Sequence, residues 1–198
     1  AYTIERVRRA KRIARTIVAT STDPADDAIA AFCADEGIAC FRGEQQNVAY
    51  RFLAAARAHE LSAFVRICGD SPLIDPTLID LAVDIYRTGR FDIVTNNLER
   101  TFPAGQTVEL IAADAYEHGY ARMHAPEHFE HVTRFFYDYA DQYRIFNFTA
   151  AEDHVALKLA VDTPDDLDRV ADIICRMQRP AWTYSLKQIV EGSLAESA

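Results

Sequence analysis

A short apolar strand that leads through a tight turn into a capped helix is the feature that most constrains the fold of this chain. The sequence VRICGDSPLIDP at 65–76 predicts a strand that ends near Cys68, a turn at Gly69 and a helix that begins at Asp75. Asp75 caps the helix, which leaves Asp70 without a local structural task. Open α/β sheets bind their ligands at the carboxyl ends of strands, so Asp70 is a candidate functional carboxylate. The alternative is that Asp70 only closes the Gly-Asp turn.

Strand and helix patterns alternate along the chain. Strands are predicted at 16–20, 38–41, 63–68, 91–95, 107–111, 143–148 and 155–161. Helices are predicted at 2–14, from the 21–24 loop to Glu36, and at 46–59, 76–88, 112–123, 127–139, 164–177 and 185–191. This alternation predicts an α/β fold with a three-layer, mainly parallel, Rossmann-like sheet in a single domain spanning 1–198.

The amino-acid composition limits the kinds of partner that this chain is expected to bind. The 198 residues are 49% apolar with a net charge of -9, which fits a globular protein and argues against broad nucleic-acid binding. No apolar run approaches the roughly 18 residues of a membrane span, so no membrane contact is expected. The four cysteines lack C-x-x-C spacing, and we expect them to be free thiols in a reducing cytoplasm.

The first predicted helix, 2–14, carries a basic cluster. Its apolar positions fall near one face, and its basic residues lie around the rest. The basic residues are Arg6, Arg8, Arg9, Lys11, Arg12 and Arg15. Phosphate contact is one interpretation of this cluster, but a solvated helix face is favoured.

A second aspartate has the same setting as Asp70. Asp162 follows the apolar run VALKLAV, and the next residues open a helix, with Thr163 as its cap and Pro164 as its first residue. Asp162 is therefore again a strand-end carboxylate without a local task. Two such aspartates could share Mg²⁺, which takes one or two protein carboxylates and fills its other positions with water and phosphate. The alternative makes both aspartates turn residues.

A histidine cluster offers a competing metal site. His124 and His128 have i, i+4 spacing, with Glu130 and His131 close behind. Pro126 is expected to break the helix between them, and no H-E-x-x-H motif is present. Surface and substrate-facing histidines are therefore favoured over zinc ligands. The nearby aromatics Phe135, Phe136, Tyr137 and Tyr139 are interpreted as core and interface packing.

Several motifs occur in the order found in one family. They are IVATSTDPADDAIA, FRGEQQNVAYRF, VRICGDSPLIDP, TNNLERTFPAG, EHVT and VDTPDDL. On these the chain resembles the spore-coat polysaccharide biosynthesis protein F family, relatives of the CMP-Kdo and acylneuraminate cytidylyltransferases. The likeness runs from about Ile4 to Ile174. The GD-x-PLIDP and VDTP-x-DL pieces are fairly specific together, and neither would suffice alone.

The resemblance implies a fold of the glycosyltransferase-A, or nucleotide-diphospho-sugar transferase, type. It also implies transfer of CMP from CTP to the hydroxyl of a sugar or sugar acid in polysaccharide or surface-glycan biosynthesis, with release of pyrophosphate. Mg²⁺ would be held by Asp70 and Asp162, the catalytic positions that match the family. A homodimer is expected. The alternatives are a glycosyltransferase that uses a finished sugar nucleotide, and a catalytically silent homologue kept for binding or dimerisation.

Six further residues are candidates for substrate binding. Arg42 and Arg66 could add positive charge near the nucleotide, although a surface ion pair is an equally good interpretation of each. The sugar side is expected near the 96–105 loop and the EHVT segment. Its candidates are Asn97, Glu109, Glu130 and His131.

The sequence departs from the family pattern at three places. Relatives begin with a strand and a Gly- and Arg-containing phosphate loop, whereas Ala1 already falls in the helix that would follow. We expect that the native protein contains this strand, and that the chain as given is a poor catalyst without it. Thr107 stands where an aspartate is usual, and Cys68 where a threonine is usual.

Overall fold

The computed structural model describes residues 1–194. Its strands are β1 (Ile17–Ser21), β2 (Ala39–Gly43), β3 (Ala63–Arg66), β4 (Ile93–Thr95), β5 (Glu109–Ala112) and β6 (Ile145–Asn147). Its helices are α1 (Tyr2–Val7), α2 (Asp27–Asp35), α3 (Val48–Ala58), α4 (Pro76–Tyr86), α5 (Ala113–Tyr120), α6 (Pro126–Glu130), α7 (Arg134–Asp138), α8 (Pro164–Cys175) and α9 (Leu186–Leu194). Short 3-10 turns lie at Pro24–Asp26, Ala140–Gln142 and Ala181–Thr183.

The strands of residues 1–194 form two sheets. β1 and β2 pair in parallel, and the larger sheet has the order β3-β5-β4-β6. β5 is antiparallel to both neighbours, and β4 is parallel to β6. Strands β3, β4 and β6 therefore share one direction and β5 runs against them. The predicted α/β class with mainly parallel strands is confirmed, with β5 as the reversed strand.

Helices cover both faces of the larger sheet. Side chains alternate along each strand, so Val94 and Leu110 enter one core while Ile93 and Ile111 enter the other. The first core is closed by apolar residues of α4, α8 and α9, and the second by those of α3, α5 and α7. The result is the predicted three-layer arrangement. No helix among residues 1–194 is long and apolar enough to cross a membrane.

The helix predicted over 2–14 is wrong beyond Val7. The backbone N–H groups of Lys11 and Arg12 donate to the carboxylate of Asp80 at 2.7 and 2.8 Å instead of to helix carbonyls. Arg6 is also not on a solvated face, since it is 1% exposed. Its guanidinium donates to the carbonyls of Ile74, Ala181 and Tyr184 at 2.5, 2.6 and 2.9 Å.

The single helix predicted over 127–139 is two short helices. His131 adopts an extended conformation with φ -109° and ψ 103°, which ends α6 after Glu130. Helix α7 starts at Arg134, and Phe135 and Phe136 are buried as predicted. The break turns the Thr133 and Tyr137 hydroxyls toward the sheet.

The strand predicted over 155–161 is an irregular segment. It makes one parallel bridge, between Lys158 and Ala104, and no ladder within the described part of the chain. Its backbone N–H groups bond to loops instead: Leu159 donates to Ala104 at 2.8 Å and Val161 to Asp70 at 2.9 Å. An apolar run whose donors are used by loops cannot also form a ladder.

Candidate active site

The register of the larger sheet places three polar side chains in one row. Arg66 of β3 lies opposite Glu109 of β5, which lies opposite Thr95 of β4. The neighbouring row on the same face lies two residues away along each strand. It consists of Phe64, Ile111 and Ile93, which pack in the second core. Because side chains two residues apart share a face, the polar row continues that apolar face to the carboxyl ends of β3 and β4.

Glu109 is the centre of this row. It is fully buried, and its Oε2 forms an ion pair with Arg66, which is 22% exposed. Its Oε1 accepts hydrogen bonds from the Thr133 hydroxyl at 2.7 Å, the Tyr137 hydroxyl at 2.6 Å and the Asn97 amide at 3.4 Å. The carboxylate therefore accepts four hydrogen bonds inside the protein, three at Oε1 and one at Oε2.

Charge and burial shift the pKa values of the side chains around Glu109. Burial acts most strongly and lowers the pKa of Arg66, but the charge and hydrogen bond of Glu109, with smaller effects of Cys68 and Tyr137, together raise it. Burial and the same carboxylate raise the pKa of Tyr137. Tyr137 is therefore a neutral phenol that donates to Glu109, and its oxygen lies 3.0 Å from the hydroxyl of Thr95.

The loop that carries Asp70 is anchored at several points. Thr3 donates to the Gly69 carbonyl at 3.1 Å. Gln106, which is fully buried, donates to the Leu73 carbonyl at 2.7 Å and accepts from the Asp75 N–H at 2.9 Å. Asp75 caps α4 as predicted, accepting from the Thr77 N–H at 2.9 Å. The loop is thus fixed while Asp70 itself stays exposed.

The segment that carries Asp162 meets this loop. The hydrogen bond from the Val161 N–H to the Asp70 carbonyl joins the two directly. Thr163 and Asp166 form a capping box at the start of α8, as the helix signal predicted. Asp162 is half-exposed and pairs with Lys158 at 2.7 Å, and Lys158 also reaches Asp166 at 2.5 Å.

Cys68 follows β3 and lies between Arg66 and Asp70 in the sequence. Burial raises the pKa of its thiol, and the charges of Asp70, Glu109 and Asp162 raise it further, against the opposing effect of Arg66. Arg66 ends β3 four residues before Asp70, and the Val161 N–H bonds to the Asp70 carbonyl next to Asp162. The structure therefore brings the Asp70 and Asp162 segments and the Arg66–Glu109–Asn97 group to one edge of the sheet.

The residues at this edge suit a hard divalent cation. The candidate ligands are the carboxylates of Asp70, which accepts one hydrogen bond from Ser71 at 2.9 Å, and of Asp162, whose Oδ2 pairs with Lys158 at 2.7 Å. Residues 1–194 contain no group of three or more His, Cys, Asp or Glu arranged to hold a metal by protein ligands alone. Two carboxylates completed by water and phosphate oxygens are the coordination typical of Mg²⁺ in nucleotide enzymes.

Arg42 lies in a different cluster. It donates to the carbonyls of Ser21 and Asp23 at 2.9 and 3.0 Å and pairs with Asp27 at 2.7 Å. It therefore braces the loop after β1 and forms an ion pair there, which is one of the two interpretations of this residue. Next to this cluster, the Nε of Arg51 is buried without a hydrogen-bond partner.

The histidine segment does not join the Glu109 group. Glu130 and His131 are exposed, and among residues 1–194 the polar partners of Glu109 are Arg66, Asn97, Thr133 and Tyr137. Both nitrogens of buried His128 face protein groups: Nδ1 lies 3.4 Å from the Ala125 N–H, and Nε2 lies 3.2 Å from Asp138. Helix α6 starts at Pro126, as expected from the proline.

Thr133, Tyr137, Gln106 and Lys158 were not among the sequence candidates. Thr133 is the last residue of the EHVT motif and was the available signal. The position of Tyr137 in an aromatic run favours packing. Gln106 carries no local signal, since its partners lie 31 and 33 residues away. Lys158 pairs with Asp162 four residues later and Asp166 eight residues later, and this spacing is the signal that could identify it.

Curated relatives share most of this chain. A protein of Methanocaldococcus jannaschii described as uncharacterized is 30% identical over 82% of the chain and 67% of its own length. The spore coat polysaccharide biosynthesis protein SpsF of Bacillus subtilis is 28% identical over 78% of the chain and 64% of its own length. The chain thus spans about two thirds of the length of these relatives.

Solved structures share the fold. A cytidylyltransferase from Leptospira borgpetersenii superposes with a TM-score of 0.93 at 25% identity, over 99% of this chain and 82% of that one. A CMP:2-keto-3-deoxy-manno-octonic acid synthetase complexed with CTP gives 0.64 at 16% identity, over 88% and 86%. Rv0371c of Mycobacterium tuberculosis, in complex with manganese, gives 0.60 at 19% identity, over 86% and 84%.

The family assignment rests on nearly the whole chain. Residues 1–191 match the family described as Cytidylyltransferase. This agrees with the fold shared with the Leptospira borgpetersenii cytidylyltransferase. The chain belongs to the cytidylyltransferase family, which is a family of nucleotidyltransferases.

Proposed function

We propose that this protein transfers CMP from CTP to a hydroxyl of a sugar or sugar acid, with release of pyrophosphate, in polysaccharide or surface-glycan biosynthesis. The observation that carries the proposal is the meeting of the Asp70 and Asp162 segments through the Val161 hydrogen bond, beside the Arg66–Glu109 group. The SpsF relative supports the pathway, and the synthetase complexed with CTP supports the nucleotide.

Asp70 and Asp162 are the proposed metal ligands and catalytic residues. Mg²⁺ bound by them would neutralise phosphate charge and orient the triphosphate. The manganese complex of a structural neighbour supports a divalent cation in this fold. Asp70 is exposed at the end of a fixed loop and Asp162 is half-exposed, so both carboxylates are available to a ligand from solvent.

The proposed sugar side is the face that carries Asn97, beside the Glu109 carboxylate to which the Thr133 and Tyr137 hydroxyls donate. Amide groups bind sugar hydroxyls by hydrogen bonds. Arg66 supplies positive charge there. Glu130 and His131 remain candidates on the neighbouring surface, and Arg42 remains a candidate on the β1 side.

The proposal extends to assembly and location. We propose a homodimer, a single nucleotidyltransferase domain over residues 1–198, and a cytoplasmic location. The four cysteines are free thiols, which supports a reducing compartment.

Pyrophosphate release tests the proposed reaction. The full chain is incubated with Mg²⁺, one of CTP, UTP, ATP or GTP, and a panel of sugar acids and neutral sugars. We expect release only with CTP and only with one class of sugar, together with a CMP-sugar product. In a parallel incubation with a sugar nucleotide in place of the triphosphate, release of the nucleoside mono- or diphosphate would instead identify a glycosyltransferase. No turnover, with CTP still bound, would identify a silent homologue.

A further inference from the structure

Glu109 is a poor candidate for direct contact with substrate. It is the central residue of the polar row at the sheet edge, and its side chain is fully buried. Arg66, Thr133, Tyr137 and Asn97 already donate to its two oxygens. A carboxylate that is enclosed and already accepts four hydrogen bonds can affect a ligand only through the groups that donate to it.

Arg66 is the group with capacity to spare. Its guanidinium has five N–H donors, and one nitrogen, Nη1, donates to Glu109. Among residues 1–194, the Nε of Arg51 is the fully buried side-chain nitrogen or oxygen without a hydrogen-bond partner. The Arg66 nitrogens that make no hydrogen bond are therefore not fully buried, which agrees with the 22% exposure of this side chain. They lie at the end of β3, four residues before Asp70.

We propose that Glu109 is a positioning residue, which fixes Arg66 so that the free N–H groups of its guanidinium bind an oxyanion of the substrate. The oxyanion is a phosphate of the nucleotide or the carboxylate of a sugar acid. A planar guanidinium binds such a group through two parallel hydrogen bonds, and this requires a fixed orientation. The inference relies on the proposed function for the identity of the ligand.

Binding of three ligands distinguishes a nucleotide phosphate from a sugar-acid carboxylate as the oxyanion that Arg66 binds. Calorimetry with Mg²⁺ present measures binding of CTP, of cytidine and of 2-keto-3-deoxy-manno-octonic acid to the full chain. Arg66→Gln should weaken binding of an oxyanion ligand about tenfold or more and leave cytidine unchanged. A loss confined to CTP assigns the phosphate, and a loss confined to the sugar acid assigns the carboxylate.

A double-mutant cycle isolates the role of Glu109. Glu109→Gln should weaken the same ligand, and the double variant Arg66→Gln/Glu109→Gln should bind no more weakly than Arg66→Gln alone. The double variant removes both charges, so it folds even if Glu109→Gln alone, which leaves Arg66 unpaired, does not. The matched control is Arg57→Gln/Glu117→Gln, a half-exposed ion pair between α3 and α5 that should leave binding unchanged.

Four results would overturn the inference: additive losses in the double variant, an equal loss for cytidine, wild-type affinity in all variants, or no binding of either oxyanion by the wild type. Absence of pyrophosphate release with this binding pattern intact would reject the proposed reaction instead.

Discussion

Carboxylates in this protein differ in how far their oxygens are already occupied. Glu109 and Asp166 are buried and accept several internal hydrogen bonds. Asp70 and Asp162 are exposed, with one hydrogen bond from Ser71 and one ion pair with Lys158 respectively. A carboxylate with unfilled lone pairs at a fixed position is the kind that can bind a cation. This difference separates the proposed metal ligands from the acidic residues that hold the structure together.

Asp26 is a further carboxylate whose oxygen accepts several internal hydrogen bonds, and its effect on stability can be tested. Its Oδ2 accepts from the Thr20 hydroxyl and from the Ser21 N–H and hydroxyl, and the two hydroxyls are the main cause that lowers its pKa to about 2. An ordinary aspartate has a pKa of about 3.9, so Asp26 contributes stability above that pH and loses it as the pH falls toward about 2.

Asp26→Asn should therefore destabilise the protein at pH 7, and its difference from wild type should shrink below about pH 4. Urea unfolding at a series of pH values measures this. Asp35→Asn, at the exposed end of α2, should change stability by less than about 0.5 kcal/mol at pH 7. A difference between Asp26→Asn and wild type that stays constant from pH 7 to pH 2 would contradict the expectation.

At the scale of elements, two irregular segments build the site. The break between α6 and α7 brings Thr133 and Tyr137 to Glu109, and the 155–162 segment lies against the loop after Pro103. Gly105 makes the second contact possible. It has φ +91°, and a Cβ there would lie 2.7 Å from the backbone N of Ala160 and C of Leu159. The close approach positions the segment that ends at Asp162.

Gly105→Ala should destabilise the protein by more than Gly37→Ala. Both glycines have positive φ, which costs an alanine about 1–2 kcal/mol, but a Cβ at Gly37 would meet nothing within 4 Å. Denaturant unfolding of the two variants measures the difference. Gly105→Ala should also slow pyrophosphate release by displacing Asp162, whereas Gly37→Ala should not. Equal stabilities of the two variants would show that the 155–162 segment yields without strain.

The sequence predicts regular elements and their ends better than it predicts these segments. Asp75, Thr163 and Pro164 mark their helix starts correctly because caps are local signals. Register and partners are not local. Nothing near Glu109 in the sequence indicates that its oxygens are filled by donors 24 and 28 residues further along. The 155–161 segment has the composition of a strand, and its partner loops decide otherwise.

At the scale of the whole molecule, contacts between distant parts of the chain support the site. Arg6 of α1 bonds to carbonyls 68, 175 and 178 residues away, and so joins the start of the chain, the Asp70 loop and the segment before α9. Six basic residues close together in the sequence favour a solvated helix face. The burial of the Arg6 guanidinium against three backbone carbonyls depends instead on contacts with distant parts of the chain. The two cores then hold the sheet so that its carboxyl edge carries Asp70, Arg66 and Glu109 together.

The central claim is that Asp70 and Asp162 bind one divalent cation together at this edge. Electron paramagnetic resonance of Mn²⁺ in the presence of CTP measures it directly on the full chain. We predict one site in the wild type, weakened at least tenfold by either Asp70→Asn or Asp162→Asn. Asp168→Asn, an exposed aspartate of α8, should leave it unchanged. Wild-type Mn²⁺ affinity in both Asp70→Asn and Asp162→Asn would contradict the account.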